Sequence, residues 1–197
     1  SAKLLSQDKA PTMEQLTSVL LSIGDSEWPT QSRPNVTPNG APVRGMCLGL
    51  VYGLGGQGMK VSKVSESCPL LTRLVTRFTA ASLPPEAADA RFKFSSVQIN
   101  YNYCARRHVD GNNLGPSYIV ALGDHTGGGL WTADRGVLDC RRRWRAFDGT
   151  KEHETRPFGG ASRVTLIAFT HNAYEELTRD VAGRLAGLGF SACSSER

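Results

Sequence analysis

The sequence has no run approaching the roughly 20 consecutive apolar residues of a membrane-spanning helix, and no basic-then-apolar segment opens it. No membrane partner is expected. The chain begins on serine and reads as part of a longer or processed product, so a targeting segment is not legible from it. Cysteines are few: Cys47, Cys68, Cys104, Cys140 and Cys193 are odd in number and scattered, with no pair at metal-finger spacing. Reduced thiols and an intracellular setting are expected. Internal repeats are absent, and so is the bias of a disordered chain, since 40% of the residues are hydrophobic and 21% charged. Neither sign of charge dominates. The net +5 allows an anionic partner without requiring one. The 197 residues suit a single domain with a sizeable core.

Glycine and proline, by contrast, are plentiful, and they punctuate the chain. Thr12 and Gln15 form a capping box ahead of Leu16, Val19, Leu20 and Ile23, which predicts a helix over 12–23. Four prolines between Trp28 and Pro42 make a linker or surface-hugging arm without regular structure. Apolar and alternating patterns over 44–54 and 59–65 predict a hairpin. Pro69 opens a helix to Ser82, with Leu70, Leu71, Leu74, Val75 and Phe78 inward. Beyond Pro85 short strands are predicted at 94–104, 117–122, 129–132, 136–140, 143–148 and 163–170, which suggests a sandwich or barrel. A last helix over 172–188, capped by Asn172, closes the chain. The expected organisation is an N-terminal helix and arm (1–43), a β core with one helix (44–170) and a C-terminal helix (171–197).

The chemistry concentrates in residues 100–170. In His108-Val109-Asp110 the period of 2 along a strand turns both polar side chains to one face. They can grip one metal, with His153 arriving from another strand. Two histidines and a carboxylate leave three positions open, the arrangement of non-haem iron(II) oxygenases. Ten residues after His153, Arg163 can hold a carboxylate bidentately, and Thr165 faces the same way two residues on.

In this order, His108-Val109-Asp110, Gly127-Gly128-Gly129-Leu130-Trp131, His153-Glu154-Thr155-Arg156-Pro157 and Arg163-Val164-Thr165 resemble the Fe(II)/2-oxoglutarate-dependent dioxygenases over residues 94–170. The resemblance implies a mainly β protein with flanking helices, built on a double-stranded β-helix (jelly roll, cupin-like). It implies Fe(II) held by His108, Asp110 and His153, 2-oxoglutarate chelating the iron and pairing with Arg163, dioxygen as oxidant and ascorbate as reductant. Asn102, with Tyr103 beside it, is expected to reach the co-substrate from the strand that leads to the ligands. Such enzymes oxidise an unactivated C–H bond.

The substrate is less sharply drawn. A looser likeness to the TET/JBP-type subgroup points to a methyl on a nucleic-acid base; the segment from His153 to Pro157 equally resembles prolyl hydroxylase-type enzymes, and a small molecule stands as a third class. A cupin-like barrel that binds metal without turnover is the non-enzymatic alternative. Arg141, Arg142, Arg143 and Arg145 around Trp144 read either as a phosphate-contacting patch or as a solvated strand face. Gly53 to Gly58 fits a dinucleotide-binding glycine pattern, but a strand and not a helix follows it. Surface or capping roles are expected for His125 and His171.

Overall fold

A computed structural model of the protein describes residues 1–6, 9–37, 40–53 and 58–191. Long alternating segments form its larger sheet. In antiparallel order it runs β1 (Thr30–Gln31), β2 (Val43–Tyr52), β4 (Ser96–Tyr101), β12 (Val164–His171), β5 (Asn113–Leu122) and β9 (Arg145–Phe147), with β3 (Met59–Val61) paired on β2. Opposite lie two small antiparallel sheets. One orders β10 (His153–Thr155), β7 (Leu130–Thr132) and β8 (Gly136–Leu138), and the other pairs β11 (Phe158–Gly160) with β6 (His125–Gly127). This is the expected mainly antiparallel jelly roll with flanking helices.

Alternation assigns each face of the large sheet a different task. Val164, Leu166 and Ala168 of β12, Val120 and Leu122 of β5, and Val97 and Ile99 of β4 point to the main core. There they meet α2 (Met13–Leu21), α4 (Pro69–Ser82) and α6 (Arg179–Gly187) through Leu16, Leu20, Leu74, Phe78, Val181 and Leu185. Each buried Val, Leu, Ile or Phe among them contributes about 1.5–3 kcal/mol. The intervening residues, Thr165 and Ile167 of β12, Gln98 and Asn100 of β4 and Ile119 of β5, face a cavity between the sheets.

Several local expectations hold. Thr12 and Gln15 make both bonds of the capping box. The 43–61 hairpin forms, and Pro69 starts α4. Others are corrected. Residues 63–65 are not strand but part of α3 (Lys63–Ser67), because the Ser62 hydroxyl accepts the Ser65 N–H and caps a helix there. Leu70 is exposed, not inward: it lies on the outer side of α4, whereas Leu71, Leu74, Val75 and Phe78 meet the core. The predicted strand 94–104 ends at Tyr101, because Asn102 adopts φ +46°. Residues 172–178 hold a single 3-10 turn (Tyr174–Glu176); Leu177 is extended, and Thr178 rather than Asn172 caps α6. The proline-rich arm carries β1 and buries Trp28, stacked on Tyr101 at 4.8 Å between ring centroids. Short helices α1 (Ala2–Leu5) and α5 (Pro85–Asp89) were not foreseen. Of the glycine-rich pattern, residues 54–57 lie outside the described residues; Gly53 N–H donates to Gly58 O at 2.7 Å, and β3 follows.

Candidate metal centre and co-substrate cavity

His108 and His153 sit directly opposite each other in an antiparallel bridge, each N–H donating to the other's carbonyl at 3.0 Å. A mutually bonded pair turns both side chains to the same face, and the two rings lie 4.2 Å apart between centroids. Val109 points out to solvent. Asp110, its N–H held by Gly149 O at 2.8 Å, returns to the face of His108, as the period of 2 requires. His108 Nε2 stands 3.8 Å from Asp110 Oδ1, and His153 Nε2 3.6 Å from Asp110 Oδ2. One ligand atom from each of the three residues falls within 4.8 Å of the others.

Two backbone carbonyls orient the imidazoles. His108 Nδ1 lies 2.7 Å from Arg106 O, and His153 Nδ1 2.8 Å from Lys151 O. A carbonyl only accepts, so each Nδ1 carries the proton and each Nε2 keeps a lone pair for a cation. Burial holds the His108 pKa below the ordinary imidazole value. Burial opposes ionisation of Asp110, yet its neighbours His153, His108 and Arg33 together keep its carboxyl below the usual range. His108 is thus kept toward its neutral form and Asp110 toward its carboxylate, the donor forms a divalent metal takes.

A cavity of about 340 Å³ opens from the triad into the space between the sheets. Its inner walls include Thr165, Thr155, Leu130, Ile119, Asn100 and Tyr103. Thr165 and Tyr103 thus both line the cavity. Asn100 Nδ2 donates to Thr165 Oγ1 at 3.4 Å, and the buried Tyr103 hydroxyl has no protein partner, its pKa pushed up to about 12 by burial. Asn102 is a correction. Its positive φ breaks the alternation and leaves it exposed, outside the cavity, with Oδ1 accepting the Arg163 N–H at 2.7 Å. Asn100 is the asparagine that faces inward.

Arg163 precedes β12 on the face of Thr165 and is only 2% exposed. Its Nη2 donates to Gly128 O at 2.6 Å, its guanidinium lies over the Phe158 ring at 5.1 Å, and its Nε has no protein partner. No carboxylate pairs with it among the described residues. A buried, uncompensated cation is costly, so this end of the space between the sheets suits an anionic group of a guest. It lies beyond the cavity's inner wall, not on it.

The remaining expectations divide. None of the arginines at 141–145 lines the cavity. Arg142, at φ +53°, lies between the two predicted strands and pairs with Glu14 of α2; Trp144 is buried, its indole N–H donating to Ser82 Oγ at 3.0 Å. Arg142 and Trp144 therefore face the helical side, while Arg145 Nε donates to Asp139 O at 2.8 Å. His125 is not a surface residue but 1% exposed, on β6, with neither ring nitrogen partnered. His171 does accept the Ala173 N–H at Nδ1 (3.2 Å), yet it is buried against Tyr52 and lines the cavity. Arg33, Gln98 and Cys47 also line it, and no motif in the sequence marked them.

No protein-family model and no curated protein sequence matches the chain. Solved structures do. NgTET1 in complex with 5mC DNA superposes with a TM-score of 0.53 at 13% identity, covering 82% of this chain and 68% of that one. An oxidoreductase of the 2OG-Fe(II) oxygenase family from Burkholderia pseudomallei gives 0.50 at 15% identity, covering 83% and 92%. A Pseudomonas putida prolyl-4-hydroxylase gives 0.44 at 14%, covering 84% and 90%. The chain has the fold of the 2OG-Fe(II) oxygenases.

Proposed function

We propose that the protein is a non-haem Fe(II)- and 2-oxoglutarate-dependent oxygenase that oxidises an unactivated C–H bond. The observation that carries this reading is the convergence of two carbonyl-tethered imidazoles and one carboxylate at the neck of a cavity, with a buried, uncompensated guanidinium at the far end of the same sheet face. His108, Asp110 and His153 would hold the iron; Arg163 would take the distant carboxylate of 2-oxoglutarate, with Thr165, Asn100 and Tyr103 along its length. Iron and co-substrate, when bound, supply the activation of dioxygen.

What the chain does is positional. The carbonyls of Arg106 and Lys151 keep both imidazole lone pairs aimed at one point, so a cation binds without reorienting its ligands. Leu130, Ile119 and Phe147 give the inner cavity apolar walls, which strengthens charge interactions there. Arg163 fixes the co-substrate at its far end, which orients the near end toward the triad.

For the primary substrate, the bound 5mC DNA of NgTET1 supports a methyl on a nucleic-acid base as the first class to test. A protein side chain and a small molecule are the alternatives. The arginine run lends no support to a nucleic acid, because it lies away from the cavity.

Manganese(II) titration tests the metal site. Wild type should bind one equivalent, while His108→Ala, Asp110→Ala and His153→Ala should fold but lose the metal. Full occupancy in these variants would overturn the assignment. Succinate release with iron(II), ascorbate and 2-oxoglutarate, across DNA, peptide and metabolite panels, then reads the activity and ranks the substrate classes.

A further inference from the structure

The triad and Arg163 account for a metal and a dicarboxylate, but not for Arg33. Among the described residues lining the cavity it is the only lysine or arginine. Its Nη2 lies 3.4 Å from Asp110 Oδ1, with 28% of its side chain exposed. The arm that carries it is fastened from the metal side. Arg106, whose carbonyl orients His108, donates from Nε to Asn35 O and from Nη2 to Pro34 O, both at 3.0 Å, and from its backbone N–H to Val36 O at 2.9 Å. Val36 in turn packs with Val43 and Tyr103. Arg33 is therefore held over the triad by anchored backbone on its C-terminal side and by β1 on its N-terminal side.

In the metal-free protein Arg33 balances the charge of Asp110. A divalent cation on the triad changes that balance. On the oxygenase reading, Asp110 and one carboxylate of 2-oxoglutarate would offset the cation's charge, and Arg163 would take the other carboxylate. Arg33 is then left without a counter-charge, in a partly desolvated space where a lone cation is costly. The walls toward the mouth offer it none: Cys47, Tyr52, Gln98 and Phe169 are uncharged, and His171 is kept toward its neutral form by burial. A guanidinium in that position takes a carboxylate or a phosphate oxygen pair through its planar fork.

We infer that Arg33 reads the primary substrate: the compound oxidised carries an anionic group, carboxylate or phosphate, that pairs with Arg33 beside the metal. The inference rests on the oxygenase reading.

The test uses the full chain loaded with zinc(II), which supports no oxidation, and with 2-oxoglutarate. Acetate, inorganic phosphate and neutral acetamide are titrated against wild type, Arg33→Gln and Arg33→Lys, followed by protein NMR, with thermal melting to confirm the fold of each variant. Acetate or phosphate should bind wild type and acetamide should not; whichever anion binds more tightly names the substrate's group. Arg33→Gln should weaken that binding by at least about tenfold, the loss expected of a charged hydrogen bond, and Arg33→Lys should restore part of it. With zinc kept saturating for each protein, 2-oxoglutarate affinity should stay unchanged in both variants. Absence of anion binding to loaded wild type, or undiminished binding in Arg33→Gln, overturns the inference. A fall in 2-oxoglutarate affinity in Arg33→Gln also overturns it, by assigning the residue to the co-substrate. Failure of wild type to bind zinc or 2-oxoglutarate overturns the oxygenase reading itself, and this inference with it.

Discussion

Arg163 occupies a seat that only one kind of neighbour permits. Gly128 has φ +73°, and a Cβ there would stand 2.6 Å from Arg163 Nε. The glycine thus makes room for the guanidinium and supplies the carbonyl that holds its Nη2. A lysine would keep the charge and lose the fork, so Arg163→Lys should weaken 2-oxoglutarate binding by about 1.5–3 kcal/mol, the range for hydrogen bonds to charged groups. Metal affinity should not change, because Arg163 touches none of the three ligands. Calorimetry with 2-oxoglutarate on manganese-loaded protein measures both; an unchanged affinity would mean that another residue holds the far carboxylate. The legibility of the site follows from the same local rules. His108, Asp110 and Thr165 were readable because they lie on extended chain, where alternation fixes the face. Asn102 was misread because one residue of positive φ ends that alternation, and Arg33 was unreadable because a proline-broken arm has no period from which to project a side chain.

At the scale of elements, length decides what a sequence reveals. The strands β2, β5 and β12 are eight to ten residues long and show their faces plainly. The three-residue strands β6, β10 and β11 give alternation too little to work on, and β10 carries a metal-ligand candidate nonetheless. Helix starts depend on single side chains. Asn172 with Glu175 has the form of a capping box, but the Asn172 N–H donates to Asn112 O and the chain continues into a 3-10 turn. Thr178 then accepts the Val181 N–H at 3.4 Å and starts α6. Thr178→Ala should therefore destabilise the protein by about 1 kcal/mol, the usual cost of a lost N-cap, whereas Asn172→Ala should cost α6 nothing of its cap. Urea unfolding of the two variants compares them; a larger loss in Asn172→Ala would restore the single helix from 172.

Across the whole molecule, burial of imidazoles couples stability to pH. His125 and His171 are not candidate metal ligands, and burial pushes both below the ordinary imidazole pKa; the charges of Arg163 and Arg141 add to the effect at His125. As pH falls through the ordinary value of about 6.5, the unfolded chain takes up these protons before the folded one does. Stability from this source is complete above that pH and is lost below it, so it rises with pH across the window. The carboxyl of Asp110, held below its usual range, adds a second loss only at more acidic pH. The melting temperature should accordingly decline from pH 7.5 to pH 5. His125→Phe removes one of these titrations and also two buried nitrogens that lack partners. Its melting temperature should decline less steeply over the same range, with the difference from wild type widening in its favour as the pH drops. Parallel slopes for the two proteins would show that His125 accepts a proton in the folded state without penalty, and would place an anionic or water partner beside its ring.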